Sequence, residues 1–263
     1  MDGTLLNDDS VLTPRTKSAI AKAVGAGVLF VTATGRPMCA SEMVNSLFEK
    51  DLPFIVFNGV KAVLGKSKKT LFSSSLEFGY AKKIYEIGTV RNIAVIMWTL
   101  DETLWVSRDC EDTRDYRKIS GAGLNIIDDI EECGKPGIAK MMWIDEPKKI
   151  KTYRDEMTKL FEGKVNCYAS RPMFLEFVNE QSSKGAALCE IGKLYGIDKS
   201  EMIAIGDSDN DIPMLKYAGL GIAMANASYE VKSVCGYVTS SNNEDGVAEV
   251  IEKYVLGKRG TIK

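Results

Sequence analysis

Short apolar runs that each end in a polar turn are the feature of this sequence that most restricts its fold. "VLFVTATGRP" is continuously apolar up to the turn at 34–36, and "PFIVFNG" is apolar up to Asn58. A strand without polar alternation is typical of a parallel sheet that helices cover on both faces. The sequence therefore predicts a doubly wound parallel sheet, provided that helices separate these runs.

The segments between the apolar runs do carry helix signals. In "LTPRTKSAIAKAVGAG", Thr13 is a candidate N-cap and Pro14 suits the first helical position. One face of the predicted helix is apolar: Ala19, Ile20, Ala23 and Val24. "ASEMVNSLFEK" predicts a second helix, which completes the strand, turn and helix alternation of the first third.

The last third of the chain repeats this alternation, whereas the middle does not. "SKGAALCEIGKLYG" predicts a helix, "MIAIGDSDNDIPML" a strand, acidic turn and helix, "GLGIAM" a strand, and "DGVAEVIEKYV" a helix. Within residues 80–181, "IAVIMWTL" with "TLWVSRD", and "VNCYASR" with "MFLEFVN", predict adjacent strands. We therefore expect an α/β core domain, residues 1–79 and 182–263, interrupted by an α+β domain at 80–181.

The amino-acid inventory excludes several kinds of chemistry. The 263 residues include no histidine, which rules out Ser-His-Asp and Cys-His nucleophile systems and His-ligated zinc or iron. The six cysteines are dispersed and form no C-x-x-C pair. An enzyme built from this chain must use carboxylates, Lys, Thr and a metal bound through oxygen.

Charge and hydropathy narrow the partners. The 34 basic and 36 acidic residues leave a formal charge of -2, and no basic run suggests a nucleic-acid face. No stretch approaches the roughly 18 apolar residues that span a bilayer, and the N-terminus has no signal-peptide pattern. We expect a cytoplasmic protein that binds neither nucleic acid nor membrane; the sequence leaves its oligomeric state open.

Ligands of open parallel sheets bind beyond the carboxyl ends of the strands. That edge should gather "MDGT", "TGR", "NG" and "GDSDNDIPML", together with Lys184 at the start of a helix. Three carboxylates, a hydroxyl, glycine amides and one lysine from these stretches would then face one another. Such a set suits Mg²⁺ and a phosphate group.

Each of these stretches is weak evidence alone. T-G-R and N-G are common turn sequences, and a lysine at a helix start is usually solvated. The acidic segment could be a calcium loop, but counting from Asp207 places Ile212 where an EF-hand needs Gly and Ala218 where it needs Glu. A solvated acidic turn stays open for that segment alone, whereas the four stretches in this order favour a site.

In combination, these motifs resemble those of haloacid dehalogenase-like phosphatases. The resemblance rests on "DGTLLN", "TGRP", "NG", Ser-Lys-Gly and "GDSDNDIPML" in this order. The insert at 80–181 and the ending "MANASYEV...SSNNEDGVAEVIEKYV" are similar to the Cof-type (IIB) branch, which has a C2B cap domain. "KMMWIDEP" and the C-terminal stretch resemble the YidA-type sugar-phosphate phosphatases.

The resemblance implies a mechanism. The family's first motif is Asp-x-Asp-Gly-Thr, in which the first Asp attacks phosphorus and the second protonates the leaving alcohol and later activates water. The second Asp matches Asp2. The backbone carbonyl of Asp2 and the carboxylate of Asp207 match the Mg²⁺ ligands, and Asp211 matches a residue that supports them.

The resemblance also assigns residues to the substrate. Together with Asp2, Thr34 and Lys184 match the family's catalytic set. The phosphoryl group would be held by Gly3, Thr34, Gly35, Lys184 and Asn210, and candidate contacts to the rest of the substrate are Arg36, Asn58 and Gly59. The implied substrate is a small phosphorylated metabolite, with a sugar phosphate expected.

The family's nucleophile falls one position before Met1. Asp2 is a poor replacement, because adjacent side chains of an extended segment point in different directions and its acid–base role would be vacated. We expect the natural chain to start upstream, with the Met of Asp-Met-Asp taken as the start. Two other functions stay open: a non-catalytic protein that binds Mg²⁺ and phosphate, and a phosphomutase.

Overall fold

The structure, a computed structural model, describes residues 1–257 and divides the chain into two units. The first, called the core unit here, contains Met1–Gly35, Glu42–Leu71 and the described residues from Ser183 onward. The second, the insert unit, contains Arg36–Ser41 and Phe72–Ser182.

Helices and strands alternate along most of the chain. The helices are α1 (Pro14–Gly25), α2 (Glu42–Asn45), α3 (Phe78–Val90), α4 (Glu111–Ser120), α5 (Ile130–Cys133), α6 (Pro147–Leu160), α7 (Lys184–Tyr195), α8 (Ile212–Tyr217), α9 (Tyr229–Ser233) and α10 (Gly246–Val250). The strands are β1 (Thr32–Ala33), β2 (Pro53–Val56), β3 (Lys61–Leu64), β4 (Thr70–Ser73), β5 (Ala94–Thr99), β6 (Leu104–Val106), β7 (Asn125–Ile126), β8 (Ile138–Ile144), β9 (Val165–Arg171), β10 (Phe174–Asn179), β11 (Ile203–Gly206), β12 (Leu220–Ala223) and β13 (Tyr237–Val238).

The core unit contains parallel strand pairs, as predicted. β1 and β2 run parallel, with Thr32 opposite Phe54, and β3 and β4 continue that sheet. β11, β12 and β13 form a second, fully parallel sheet. The loops that follow β1, β2 and β11 therefore lie at carboxyl ends of parallel strands, where open α/β sheets bind their ligands.

The predicted start of α1 is confirmed. Thr13 Oγ1 accepts a hydrogen bond from the backbone N–H of Thr16 at 3.2 Å, and Pro14 occupies the first turn. The predicted apolar face is buried: Ala19, Ile20, Ala23 and Val24. This face contributes to the core because α1 contacts α10.

Two predicted elements are shorter than their sequence patterns suggest. The apolar run at 28–33 forms a strand only at Thr32–Ala33. The parallel register brings residue 31 opposite Pro53, which has no N–H to donate, so the ladder with β2 begins only after it. The predicted second helix is limited to Glu42–Asn45, and the backbone N–H groups of Leu47 and Phe48 then bond three residues back in a tighter turn.

The insert unit is an α+β structure built on one six-stranded sheet in the order β7-β6-β5-β8-β10-β9. The predicted neighbours β5 with β6 and β9 with β10 are antiparallel pairs. α3 and α6 contact this sheet, and the core between the helices and the sheet contains Trp143 and Phe177. The ring centroids of these two residues are 5.0 Å apart. The α/β fold class with an inserted α+β domain is thus confirmed.

None of the helices within residues 1–257 has both the length and the apolar character that a membrane span requires.

Replacing Phe177 by Ala should destabilise the insert unit strongly. The ring is 0% exposed and packs edge-to-face on Trp143, so its removal leaves a cavity. We expect a loss of about 3–5 kcal/mol in the free energy of unfolding, measured by urea denaturation. Val90→Ala, at a side chain that is 87% exposed, is the control and should leave that free energy unchanged. Equal effects of both changes would contradict the described core.

Candidate active site

The loops after β1 and β2 are joined by backbone hydrogen bonds. The N–H of Thr34 donates to the carbonyl of Ile55 at 2.8 Å, and the N–H of Asn58 donates to the carbonyl of Thr34 at 3.0 Å. A Cβ on Gly35 would lie 2.8 Å from Asn58 Oδ1, so a larger residue there would displace the Asn58 side chain. The two predicted turns therefore form one surface.

Gly59 brings this surface against the start of α7. Its φ of 98° lies in the region that favours glycine, and a Cβ there would clash with the carbonyl oxygen of Ser183. Ser183 is the N-cap of α7, and its side chain accepts the N–H of Ala186 at 3.0 Å. Lys184, the first residue of the helix, is thereby placed beside the loop after β2.

Lys184 is buried and bonds to the acidic turn after β11. Its Nζ donates to Asp211 Oδ1 at 2.6 Å and to Asn210 Oδ1 at 3.4 Å. Asn210 in turn donates its Nδ2 to Asn58 Oδ1 at 2.8 Å. A continuous polar network thus connects the loop after β2, the start of α7 and the acidic turn after β11.

Asp211 is the buried anion of this network. Its Oδ2 accepts the backbone N–H groups of Asp207 at 3.0 Å and Ser208 at 3.1 Å, while Oδ1 bonds to Lys184. Burial alone would raise the pKa of Asp211, but the positive charge of Lys184 and these hydrogen bonds outweigh burial and lower the pKa. The carboxylate therefore stays ionised and shapes the turn that presents Asp207.

Asp207 faces the N-terminal loop. Its Oδ2 accepts the hydroxyl of Ser208 at 2.8 Å, and its Oδ1 accepts the hydroxyl of Thr4. Gly3 has a φ of 66°, and a Cβ on it would lie 2.5 Å from Asp207 Oδ2. The "DGT" stretch and the acidic turn are thus in direct contact.

The N-terminal loop folds back on itself at Asp2. The carbonyl of Met1 accepts the N–H groups of Leu5 at 2.9 Å and Leu6 at 3.0 Å, and the residues between them form the turn. The amino group of Met1 donates to the carbonyl of Ala33 at 3.3 Å. The side chain of Asp2 is exposed to solvent.

Most sequence-predicted site residues therefore lie in one cluster within the core unit. The members connected by the contacts above are Gly3, Thr34, Gly35, Asn58, Gly59, Lys184, Asp207, Asn210 and Asp211. Arg36 belongs to the insert unit, where its guanidinium donates to the carbonyl of Ala40 at 3.4 Å.

Sequence reasoning missed three supporting residues. Thr4 and Ser208 bond to Asp207, and Ser183 caps the helix of Lys184. A signal existed for each of them. Thr4 is the Thr of "DGT", Ser208 lies inside the acidic motif, and Ser183 precedes Lys184 as a typical N-cap residue.

The groups of this cluster that could bind a metal ion are oxygen atoms. Residues 1–257 contain no group of three or more His, Cys, Asp or Glu side chains placed to hold a metal ion. The acidic groups are instead divided between Asp207, which lies against Gly3, and Asp211, which is engaged by Lys184. Any cation here would need backbone carbonyl, substrate or water oxygens in addition to the Asp207 carboxylate, as Mg²⁺ sites commonly use.

The sequence also matches a known protein family. A model of the haloacid dehalogenase-like hydrolase family matches residues 1–251, nearly the whole chain. The chain therefore belongs to the haloacid dehalogenase-like hydrolases.

Individual relatives are similar along their full length. YxeH of Bacillus subtilis, provisionally named a phosphatase, is 31% identical over 98% of this chain and 97% of that protein. The 5-amino-6-(5-phospho-D-ribitylamino)uracil phosphatase YwtE of the same organism is 30% identical over 98% and 97%. The structure of a haloacid dehalogenase-like hydrolase from Bacteroides thetaiotaomicron is 26% identical, with a TM-score of 0.85 over 95% of this chain and 96% of that one. The protein is thus a phosphatase of this superfamily that acts on small phosphorylated substrates.

Replacing Lys184 by Met should destabilise the core unit because it leaves the Asp211 carboxylate buried without its cation. We expect a loss of about 3–5 kcal/mol in the free energy of unfolding, measured by urea denaturation. Adding Asp211→Asn to this variant should recover part of the loss, since a neutral amide then replaces the unpaired carboxylate.

Lys193→Met is the matched control on the same helix, where the lysine pairs with Glu190 in solvent. It should leave the unfolding free energy unchanged within error. A Lys184→Met variant as stable as this control would contradict the buried ion pair.

Proposed function

We propose that the protein hydrolyses the phosphate monoester of a small metabolite in a Mg²⁺-dependent reaction that passes through an aspartyl-phosphate. The observation that carries this proposal is the polar network in which Lys184 is buried between Asp211 and Asn210. A buried ammonium, held by one carboxylate beside a second one at Asp207, provides fixed charges of both signs. Phosphoryl transfer depends chiefly on such positioning and charge compensation.

The phosphoryl group would be held by groups from three loops. Lys184 supplies positive charge, Thr34 its hydroxyl, and Gly3 and Gly35 their backbone N–H groups, with the amide of Asn210 alongside. Support comes from the close packing of Gly35 on Asn58 and the hydrogen bond from Asn210 to Asn58. These contacts restrict the loops before a substrate arrives, so little entropy is lost in ordering them.

The residues present fit a magnesium ion. Its ligands would be the Asp207 carboxylate and the backbone carbonyl of Asp2, since hard oxygen donors suit Mg²⁺ and the chain offers no histidine. Asp211 would support the ion indirectly, because its carboxylate holds the backbone N–H of Asp207. When bound, the ion would offset negative charge on the transferring phosphoryl group.

The proposed nucleophile is the aspartate that the family motif places one position before Met1. Support comes from the position of Met1, which is buried and whose backbone nitrogen lies near Lys184 and Asp211, so that a residue joined to it would lie beside the cluster. The carboxylate would attack phosphorus and the bond from phosphorus to the ester oxygen would break, while Asp2 donates a proton to the leaving alcohol. Asp2 would then take a proton from the water that hydrolyses the aspartyl-phosphate.

We propose a primary-alcohol phosphate of a sugar or sugar alcohol as the substrate. The YidA-type resemblance favours a sugar phosphate, and the relative YwtE is named for a phosphate ester of a ribityl chain. We further propose that residues 1–79 and 182–263 form the core domain, and that residues 80–181 form a cap domain that selects the leaving group. The candidate contacts to the rest of the substrate are Arg36, Asn58 and Gly59. We also propose that the enzyme acts in the cytoplasm.

The function is tested on the extended enzyme, the chain together with the residues encoded in frame immediately before Met1. We expect phosphate release from sugar phosphates that requires Mg²⁺ and exceeds release from nucleoside monophosphates about tenfold or more, a difference of about 1.4 kcal/mol in transition-state binding. Asp207→Asn should reduce turnover by at least about 100-fold because it removes a charged metal ligand. Release of inorganic phosphate measures both effects.

Asp209→Asn is the control, because Asp209 lies exposed in the same acidic turn, and it should retain full turnover. Equal loss in both variants would contradict the metal assignment. The absence of an Asp codon immediately before Met1 would contradict the proposed nucleophile, and the non-catalytic binding protein would then be the better interpretation.

A further inference from the structure

Two asparagines far along the chain bond to the N-terminal loop, residues 1–10. Asn226, which follows β12, donates its Nδ2 to the carbonyl oxygen of Gly3 at 2.8 Å. Asn242, which is 6% exposed, donates its Nδ2 to the carbonyl oxygen of Leu6 at 3.1 Å. The turn that carries Asp2 is therefore fixed from outside at two of its carbonyl groups.

The two asparagines are also bonded to each other. The backbone N–H of Asn242 donates to Oδ1 of Asn226 at 3.1 Å. Because an amide side chain has one acceptor end and one donor end, this bond fixes the donor end of Asn226 toward Gly3. Asn242 thus orients Asn226, and Asn226 holds Gly3.

The support behind this pair is firmly anchored. Asn242 begins a 3₁₀ turn, Asn242–Glu244, which ends at Asp245 with a φ of 62°. The carboxylate of Asp245 accepts the hydroxyls of Thr13 and of Thr16, the latter at 3.1 Å. The turn is therefore tied to the first turn of α1 and can act as a fixed support.

A neighbouring asparagine bonds to the same loop at a distance from Asp2. Asn243 donates its Nδ2 to Asp8 Oδ2 at 2.8 Å and accepts the N–H of Asp8 at 3.0 Å. Asn243 therefore holds the far end of the N-terminal loop. It provides a matched comparison, because its loss would loosen the loop without freeing Gly3.

We propose that Asn226, oriented by Asn242, is a positioning residue for the acid–base carboxylate Asp2. Asp2 lies between Met1, whose carbonyl is engaged by Leu5 and Leu6, and Gly3, whose carbonyl is engaged by Asn226. The bond to Gly3 thus restrains the residue that follows Asp2 and keeps Gly3 against Asp207. This inference rests on the proposed role of Asp2 in phosphate ester hydrolysis.

A purely structural role for Asn226 predicts a different result. Its side chain is exposed, so water could replace it on the Gly3 carbonyl, and the substitution would then lower the rates with all substrates equally or not at all. A positioning role for an acid depends on the leaving group. An alkyl alcohol requires a proton as it leaves, whereas p-nitrophenolate leaves readily without one.

The test compares sugar phosphate with p-nitrophenyl phosphate in the extended enzyme. Asn226→Asp keeps the size of the side chain and the acceptor for Asn242 but removes the donor to Gly3. We expect kcat/KM, which reports the steps up to release of the alcohol and not the later hydrolysis of the aspartyl-phosphate, to fall about 30-fold for the sugar phosphate, within the range for a misplaced reacting group. For p-nitrophenyl phosphate kcat/KM should fall less than about threefold, because its leaving group needs no acid. Asn226→Ala should give the same pattern as Asn226→Asp, whereas Asn243→Ala should leave kcat/KM unchanged with both substrates.

Asp2→Asn, measured alongside, distinguishes failure of this inference from failure of the proposed function. If Asp2→Asn lowers kcat/KM selectively for the sugar phosphate and Asn226→Asp does not, the positioning role is overturned while the function stands. If Asp2→Asn lowers kcat/KM equally for both substrates, Asp2 is not the acid, and the proposed function of Asp2 and this inference are both overturned.

Discussion

The buried ion pair between Lys184 and Asp211 is the interaction on which the rest of the site depends. Burying two charges is costly unless each is paired and hydrogen-bonded. Asp211 meets this condition with the ammonium and two backbone N–H groups, which also determine the path of the chain at Asp207 and Ser208. The pair thus joins the start of α7 to the acidic turn. Lys184, which is suited to phosphate binding, therefore also stabilises the fold.

Other contacts extend from this pair in two directions. Toward the first strands, Asn210 and Asn58 connect it to Thr34 and Gly35. Toward the N-terminus, Asp207 contacts the "DGT" loop, whose carbonyls are held by Asn226 and Asn242. Some of these links are hydrogen bonds and others are close packing at a glycine, so contacts within the chain itself hold the loops together. Such preorganisation suits a phosphatase, because phosphoryl transfer is catalysed chiefly by groups and charges that are already in position.

The sequence predicts the parts of this structure that depend on local patterns. Thr13 and Pro14 predict the start of α1, and the apolar runs predict the parallel pairs and the polar loops at their ends. It does not predict the short β1, which depends on Pro53 in its partner strand, or the bond from Asn226 to Gly3, which joins residues 223 positions apart. Such contacts depend on the tertiary fold, and a single asparagine in a loop carries no signal of its partner.

The most direct measurement of the central claim is a crystal structure of the protein grown with Mg²⁺ and orthovanadate, an analogue of the transferring phosphoryl group. The account predicts Mg²⁺ on the Asp207 carboxylate and the Asp2 backbone carbonyl, and vanadate oxygens bonded to Lys184 Nζ and the Thr34 hydroxyl. Asp211 should keep its bond to Lys184. An empty cluster at saturating Mg²⁺ and vanadate, or both ions bound elsewhere on the protein, would contradict the account.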